Sequence, residues 1–155
     1  MVLPDFDENG VLPKGIHSAT LQEVNERYGQ SSEARKRQSN LLREVVETAA
    51  NYSTIKRILL WGSFVTQKAE PNDLDYSVVV SVEHRRMEIA EHHRRFSVPA
   101  LARQFYGTDT GYLLIRDYPI ENYAEQTDFL CHNRRGVCGI IEINIWGEYC
   151  HGELR

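Results

Sequence analysis

The sequence predicts a small α/β domain of the α+β kind, with a mixed sheet of about four strands flanked by helices. Apolar runs typical of strands fill four segments, at 57–61, 73–82, 112–116 and 139–146. Capped or amphipathic segments separate most of these runs, which is typical of a sheet with helices packed on it. The length of 155 residues is that of one domain with one sizeable core, so we expect a single domain over 1–155.

The N-terminal arm, about residues 1–17, is expected to be extended, because its prolines and glycines disfavour a helix. A short helix follows. Thr20 and Glu23 have the spacing of a capping box at its start, and Gly29 is placed to end it. The arm therefore leads directly into the first helix.

A longer helix is expected near 32–51, capped by Ser31 or Ser32. Its apolar side chains recur at helical spacing and form one stripe, made of Leu41, Leu42, Val45, Val46 and Ala49. Beyond the second predicted strand, we expect a polar, basic helix over 83–96 and a proline-initiated helix over 99–105. The predicted strands alternate with these helices.

The composition is 41% hydrophobic and 26% charged, which is typical of soluble globular proteins. No apolar run approaches the roughly 20 residues of a membrane span, and the N-terminus lacks the pattern of a signal peptide. The cysteines, Cys131, Cys138 and Cys150, form no even disulfide framework and fit a reducing compartment. We therefore expect a cytoplasmic protein with no membrane contact.

The net charge of −4 argues against a protein that binds nucleic acid over its whole surface. Basic side chains nevertheless cluster, at 35–37 with Arg43, at 85–86, at 94–95 and at 134–135. Near an acidic site, such clusters would steer a polyphosphate or a nucleic acid towards it. The alternative is that they are solvated helix faces, balanced by Glu88 and Glu91.

Two aspartates precede the second long apolar run. Asp73 and Asp75 are two residues apart, and residues at this spacing in a strand face the same side. Two bare carboxylates about 5 Å apart repel by roughly 3 kcal/mol at an effective dielectric near 20. Mg²⁺ removes this repulsion and takes one or two carboxylates, together with phosphate oxygens, as ligands. The pair therefore predicts a metal site.

A glycine-serine pair follows the first predicted strand. Gly62 allows a close approach of backbone to phosphates, and Ser63 can begin a helix over 63–68 whose N–H groups face anions. Thr66 and Lys68 follow on this segment. Lys68 either reaches a β- or γ-phosphate as a point charge or lies solvated on the surface. Together with the aspartates, this pattern predicts a metal-nucleotide site.

Gly62-Ser63 and Asp73-Leu74-Asp75 together resemble the signature of the polymerase-beta-type nucleotidyltransferase superfamily, in particular its minimal members. The resemblance covers 57–80, about one-sixth of the chain. The opening segment, 5–17, is in addition reminiscent of a poorly characterised bacterial branch of these proteins. The resemblance implies a nucleotidyltransferase-like fold, a triphosphate held by the Gly-Ser pair, and Mg²⁺ or Mn²⁺ bound by the two aspartates. It implies an NTP substrate, for which we expect ATP.

The resemblance also implies a third carboxylate on a neighbouring strand, and two-metal phosphoryl chemistry benefits from one. Two residues compete for this role. Asp109 precedes the third predicted strand, although beside Gly107 it also reads as a turn residue. Glu142 is central in an isoleucine-rich strand, although it also fits the wet face of that strand. Order along the chain favours Asp109.

The resemblance implies a Mg²⁺-dependent transfer of a nucleoside monophosphate from NTP to a hydroxyl. The acceptors that it implies are protein tyrosine or serine, tRNA ends, or small molecules such as aminoglycosides. Minimal relatives serve as antitoxins that modify a toxin, so a toxin–antitoxin or defence setting is expected, with a partner protein or RNA. Two alternatives stay open: a catalytically silent nucleotide- or protein-binding module that neutralises a partner, and a nucleic-acid-binding defence component. The sequence leaves the oligomeric state open.

Overall fold

The computed structural model describes residues 3–108, 110–114 and 139–145, with the backbone alone for Arg85 and 111–114. Its strands form one mixed sheet in the order β1-β5-β2-β3-β4. They are β1 (Ile16–Ser18), β2 (Ile55–Trp61), β3 (Asp75–Val80), β4 (Thr110–Leu114) and β5 (Ile140–Asn144). Strand β2 is antiparallel to its neighbours β3 and β5, whereas the β1–β5 and β3–β4 pairs are parallel. The expected α/β class is confirmed, with one strand more than expected.

Three α-helices lie in the described part of the chain, and each begins where its sequence signal is. They are α1 (Leu21–Tyr28), α2 (Glu33–Ala49) and α3 (Pro99–Tyr106). Thr20 and Glu23 form the expected capping box, and Gly29 ends α1. Ser32 caps α2, and Pro99 occupies the first turn of α3. Within the described ranges, no helix is long and apolar enough to cross a membrane.

The two faces of the sheet are packed differently. On the first face, alternate strand residues join α1 and α2 in the main core, among them Leu60, Tyr76, Val78, Ile141 and Ile143. The second face carries a smaller cluster of Leu59, Val79 and Ile140, bordered by Trp61. Because side chains alternate along a strand, Asp75 lies on this second face. The main core thus fixes the sheet, and the second face presents the aspartate.

Two segments that were expected to be continuous helices are helical only in short 3-10 pieces, so the predicted extent of these helices is wrong. Segment 63–68 contains only a short 3-10 turn, Ser63–Val65. Segment 83–96 contains two 3-10 pieces, Val82–Arg86 and Glu91–Phe96.

Tertiary contacts occupy backbone N–H groups that a continuous helix over either segment would need. The Gln67 N–H donates to the Gly10 carbonyl at 2.9 Å, not to the carbonyl four residues back. In the second segment, the Ala90 N–H donates to Tyr52 Oη at 3.1 Å. The backbone conformation of both segments is therefore set by hydrogen bonds to residues that are distant in sequence.

The N-terminal arm packs against the domain. Leu12 is only 1% exposed, and the Phe6 ring lies edge-on to the Tyr28 ring at a centroid distance of 5.9 Å. The arm then forms β1, in which Ile16 pairs with Ile140 of β5. The described part of the arm contains no helix, as expected, but it contributes an edge strand and core side chains.

Two histidines fasten segment 82–98 to the loop that precedes β2. His84 Nδ1 lies 2.8 Å from Thr54 Oγ1, and His93 Nδ1 lies 2.6 Å from Tyr52 Oη. Burial is the main cause that lowers the pKa of both histidines. Each histidine therefore has a lower pKa in the folded protein than the value near 6.5 in the unfolded chain. The stability that comes from keeping these histidines neutral is present above about pH 6.5, and it is lost as the pH falls through the lowered pKa of the folded protein.

We expect the free energy of unfolding to decrease when the pH is lowered from about 7 to about 5, since His84 must then be protonated. His84→Gln should flatten this decrease, because glutamine does not titrate. Urea unfolding at a series of pH values measures the effect. His17→Gln, on the N-terminal arm, is the matched control. The same slope in His84→Gln as in wild type would contradict the expectation.

Candidate nucleotide and metal site

The Gly-Ser turn lies against the second aspartate. Trp61 and Asp75 are opposite residues of the antiparallel β2–β3 pair, so Gly62 leaves β2 beside the first residue of β3. Gly62 has φ +77° and ψ −162°, a conformation that essentially glycine alone adopts. A Cβ atom at Gly62 would overlap Asp75 Oδ2 and would lie 3.1 Å from Asp75 Cγ. The missing side chain therefore makes room for the carboxylate.

The two aspartates flank a side chain of the main core. Leu74 is fully buried in that core. Asp75 is 5% exposed, whereas Asp73 is half-buried just before β3. Because side chains alternate along an extended chain, the inward direction of Leu74 favours a common outward direction for its two neighbours. This arrangement places the Asp75 carboxylate beside the Gly-Ser turn, with Asp73 two residues before it in the chain.

The Thr66 hydroxyl ties the turn together. It donates to the Ser63 carbonyl at 2.7 Å and accepts from the Lys68 N–H at 3.2 Å. Ser63 is half-exposed, and Lys68 is exposed. Among the residues expected to contact a nucleotide, Gly62 touches Asp75 and Ser63 follows it directly. Thr66 stabilises the turn, and Lys68 lies on the surface.

A buried arginine holds this turn from the side of α2. Arg35 is 3% exposed. Its guanidinium donates to four backbone carbonyls, those of Tyr28, Phe64, Thr66 and Lys68. The sequence interpretation grouped Arg35 with the basic cluster 35–37 and missed this role. The available signal was its position seven residues before Leu42, in phase with the apolar stripe of the helix.

Glu142 is not brought together with the two aspartates. Its Oε2 accepts from Arg57 Nη1 at 3.1 Å, and the two side chains are 12% and 22% exposed. Leu59 of β2 pairs with Glu142 on one side and with Ser77 on the other. Two strand spacings, about 10 Å in all, therefore separate Glu142 from the strand of Asp75.

Asp109, the other candidate for the third acid, lies outside the described residues. Thr108 is buried, and Thr110 begins β4 opposite Tyr76, which follows Asp75 in β3. The described start of β4 therefore adjoins the strand of the second aspartate, whereas β5 lies beyond β2.

The two aspartates have the donor chemistry of a site for a hard divalent cation. Mg²⁺ and Mn²⁺ prefer oxygen ligands, and Mg²⁺ usually keeps several waters beside one or two carboxylates and the substrate phosphates. In the part of the chain that the structure describes, no group of three or more His, Cys, Asp or Glu side chains could share a metal. A metal at Asp73 and Asp75 would complete its ligand shell with further oxygen ligands, such as waters and substrate phosphates.

We expect Glu142→Gln to lower stability and to leave the chemistry of the aspartate site intact. The change leaves Arg57, which is partly buried, without its charged partner. The loss of unfolding free energy should lie between about 1 kcal/mol, as for exposed pairs, and about 3 kcal/mol, as for buried ones. Urea unfolding of Glu142→Gln, Arg57→Met and the double variant measures the coupling. If Glu142→Gln abolished nucleotide transfer while the protein stayed folded, Glu142 would be the third acid after all.

Comparison with known proteins gives a family for the chain. No curated protein and no solved structure matches it. One family matches residues 4–144, a range that includes the Gly-Ser turn, both aspartates and both candidates for the third acid. Because the match spans most of the 155 residues, the chain belongs to this family, DUF6932, a family of unknown function.

Proposed function

We propose that this protein is a Mg²⁺-dependent nucleotidyltransferase, which transfers a nucleoside monophosphate from an NTP to a hydroxyl acceptor. One observation carries the proposal: Gly62 lies against Asp75, although 12 residues separate them in the sequence. This contact joins a turn that phosphates can approach closely to a carboxylate pair that suits a divalent cation. The resemblance of 57–80 to the polymerase-beta-type superfamily supports the same activity.

Asp73 and Asp75 are the residues that would hold the metal, Mg²⁺ or Mn²⁺. When bound, the metal supplies positive charge that orients the triphosphate and stabilises the leaving pyrophosphate. Asp75 is almost completely buried beside Gly62, which keeps it next to the turn that is proposed to bind the phosphates. We expect ATP as the nucleotide.

The remaining residues bind the nucleotide and move a proton. The Gly62 backbone and the Ser63 hydroxyl bind the β- and γ-phosphates. The acceptor oxygen forms a bond to the α-phosphorus, and the bond from that phosphorus to the bridging oxygen breaks, so pyrophosphate leaves with the electron pair. A carboxylate accepts the proton of the acceptor hydroxyl. We assign this role to Asp109, since Thr110 adjoins β3 and Glu142 already pairs with Arg57.

The acceptor classes are those of the resemblance: a protein tyrosine or serine, an RNA end, or a small hydroxyl compound. We place the activity in the cytoplasm, in a toxin–antitoxin or defence setting. There the partner protein would be a toxin that the transferase modifies.

The test compares label from α-labelled and γ-labelled nucleotides in the presence of Mg²⁺. A nucleotidyltransferase leaves the α-label on the acceptor and releases the γ-label in pyrophosphate, whereas a kinase transfers the γ-label. Each of the four NTPs is offered with three acceptors: the protein itself, total RNA and a small hydroxyl compound. Equal α-label transfer by wild type and by the double variant Asp73→Asn/Asp75→Asn would refute the proposal.

A second candidate function is a catalytically silent module of the same fold that binds a nucleotide or a partner protein and neutralises that partner. One observation favours it: within the described ranges, no third acid joins the two aspartates, and Glu142 pairs with Arg57. Calorimetry with each NTP and Mg²⁺ separates the two candidates. Binding without label transfer, together with partner neutralisation that survives loss of both aspartates, would support the silent module.

A further inference from the structure

We propose that Arg35 is a positioning residue, which shapes the turn 62–68 so that the proposed site binds a triphosphate in preference to a monophosphate. The inference rests on the proposed function and deepens it, because it states what the turn selects. Arg35 lies in α2, outside both sequence motifs, and nothing in those motifs assigns it a role.

Every donor of the Arg35 guanidinium is used by the protein. Its Nε–H donates to the Lys68 carbonyl at 3.1 Å. Its Nη1 donates to the Tyr28 and Phe64 carbonyls at 3.2 and 2.8 Å. Its Nη2 donates to the Thr66 and Lys68 carbonyls at 2.7 and 2.5 Å. Because a guanidinium has five N–H groups, these five bonds leave none to donate to a phosphate.

The bonds from Arg35 remove a source of repulsion from the turn. A carbonyl oxygen carries partial negative charge and repels a phosphate that it faces. Three carbonyls of the turn, those of Phe64, Thr66 and Lys68, are instead directed to Arg35. Gly62, which lies against Asp75, and the half-exposed Ser63 are not among the residues whose carbonyls accept from Arg35.

The positive charge of Arg35 adds to this effect. Its described partners are carbonyls and the rings of Tyr28 and Phe64, whose centroids lie 5.9 and 5.6 Å from Cζ. No carboxylate is among these described partners. Burial raises the pKa of Tyr28 to about 12, so its phenol is neutral at physiological pH. A buried charge is screened less than a solvated one, so it attracts a polyanion more strongly.

The same helix also fixes the connection between the turn and the aspartates. Ser32 Oγ donates to the Ala69 carbonyl at 3.1 Å, and Gln38 Nε2 donates to the Pro71 carbonyl at 2.6 Å. Arg35 lies between these two residues on one side of α2, and Pro71 is two residues before Asp73. The helix therefore sets the position of the Gly-Ser turn and the start of the aspartate pair from one rigid element.

The experiment compares Arg35→Lys with wild type, because lysine keeps the charge but has three donors instead of five. Calorimetry measures the dissociation constants of Mg-ATP, Mg-tripolyphosphate and AMP, at a temperature at which circular dichroism shows each protein folded. We expect the dissociation constants of the two triphosphates to rise about 10- to 100-fold. This is the range for residues that orient a binding group without contacting what it binds. The constant for AMP should remain within about twofold, since the turn does not bind a monophosphate.

The matched control is Arg37→Lys, the same change two residues away on an exposed position of α2. It should leave all three constants unchanged. An equal loss of affinity for ATP and AMP in Arg35→Lys would mean a general structural defect and would overturn the positioning role. Unchanged affinity for the triphosphates would overturn it as well. If wild type itself binds no triphosphate, the proposed function fails, and this role fails with it.

If Arg35→Lys does not fold, Thr66→Val decides the question. It removes the hydroxyl that ties the Ser63 carbonyl to the Lys68 N–H, and it loosens the same turn without disturbing a buried charge. We then expect the dissociation constants of the two triphosphates to rise and the dissociation constant of AMP to remain unchanged. A Thr66→Val protein with wild-type preference for triphosphate would overturn the proposal.

Discussion

Asp75→Asn is expected to lower nucleotide transfer by at least about 100-fold, because even residues that only support a metal ligand contribute about 10- to 100-fold. Asparagine keeps the size of aspartate but lacks the negative charge that would hold a divalent cation. The side chain is 5% exposed and touches the Gly62 backbone, so water has little room to replace the lost ligand. The measurement is kcat/KM for α-label transfer at fixed Mg²⁺.

A matched control for this variant is Glu70→Gln. It neutralises an exposed acid in the same connection between β2 and β3. Exposed substitutions usually change free energies by less than about 0.5 kcal/mol, so the control rate should remain within about twofold of wild type. Binding gives a second measurement, since Mg-ATP at 100 times its Kd should stabilise wild type by about 2.7 kcal/mol. Wild-type rates in Asp75→Asn would end the metal assignment.

Gly62→Ala is expected to have the second large effect, on stability and on nucleotide binding together. The backbone at Gly62 is in a conformation that costs other residues about 1–3 kcal/mol. In addition, the new Cβ would overlap Asp75 Oδ2, so either the turn or the carboxylate must move. Urea unfolding should show a loss of more than about 2 kcal/mol, in the upper part of that range. Calorimetry should show no binding of Mg-ATP.

Gly107→Ala separates backbone strain from the contact with the aspartate. Gly107 ends α3 with φ +65°, and no atom lies within 4 Å of the place that a Cβ would take. The change should cost only about 1–2 kcal/mol of strain and should leave nucleotide affinity unchanged. Equal effects of the two variants on Mg-ATP binding would mean that the contact between Gly62 and Asp75 has no functional role.

The elements that were predicted correctly depend on interactions within a few residues. The Thr20–Glu23 capping box and the Ser32 cap are bonds across three residues, so the spacing of residue types specifies them. The strands β2 and β3 were recognisable because each is a run of apolar residues long enough to cross a sheet. The Gly-Ser and Asp-x-Asp motifs at their ends were therefore assigned to the correct strands.

The wrong predictions depend on partners far away in the sequence. Segment 63–68 has the composition of a short helix, but Arg35 and Gly10 bind its backbone groups from 25 or more residues away. Strand β1 was missed because its partner, β5, lies more than 100 residues later. No local periodicity reports such a contact. Arg35 itself was grouped with the basic cluster 35–37, and its position in phase with the apolar stripe was not used.

The sequence alone determined the α/β class, the helix starts and the two short motifs, because each follows from residue types at fixed local spacing. Only the tertiary structure decided that Gly62 touches Asp75, that Arg35 is buried behind the turn, and that Glu142 pairs with Arg57 across β2 and β5. These contacts follow from strand register and from the packing of α2. Both are properties of the assembled core, in which residues distant in sequence compete for the same space and the same hydrogen bonds.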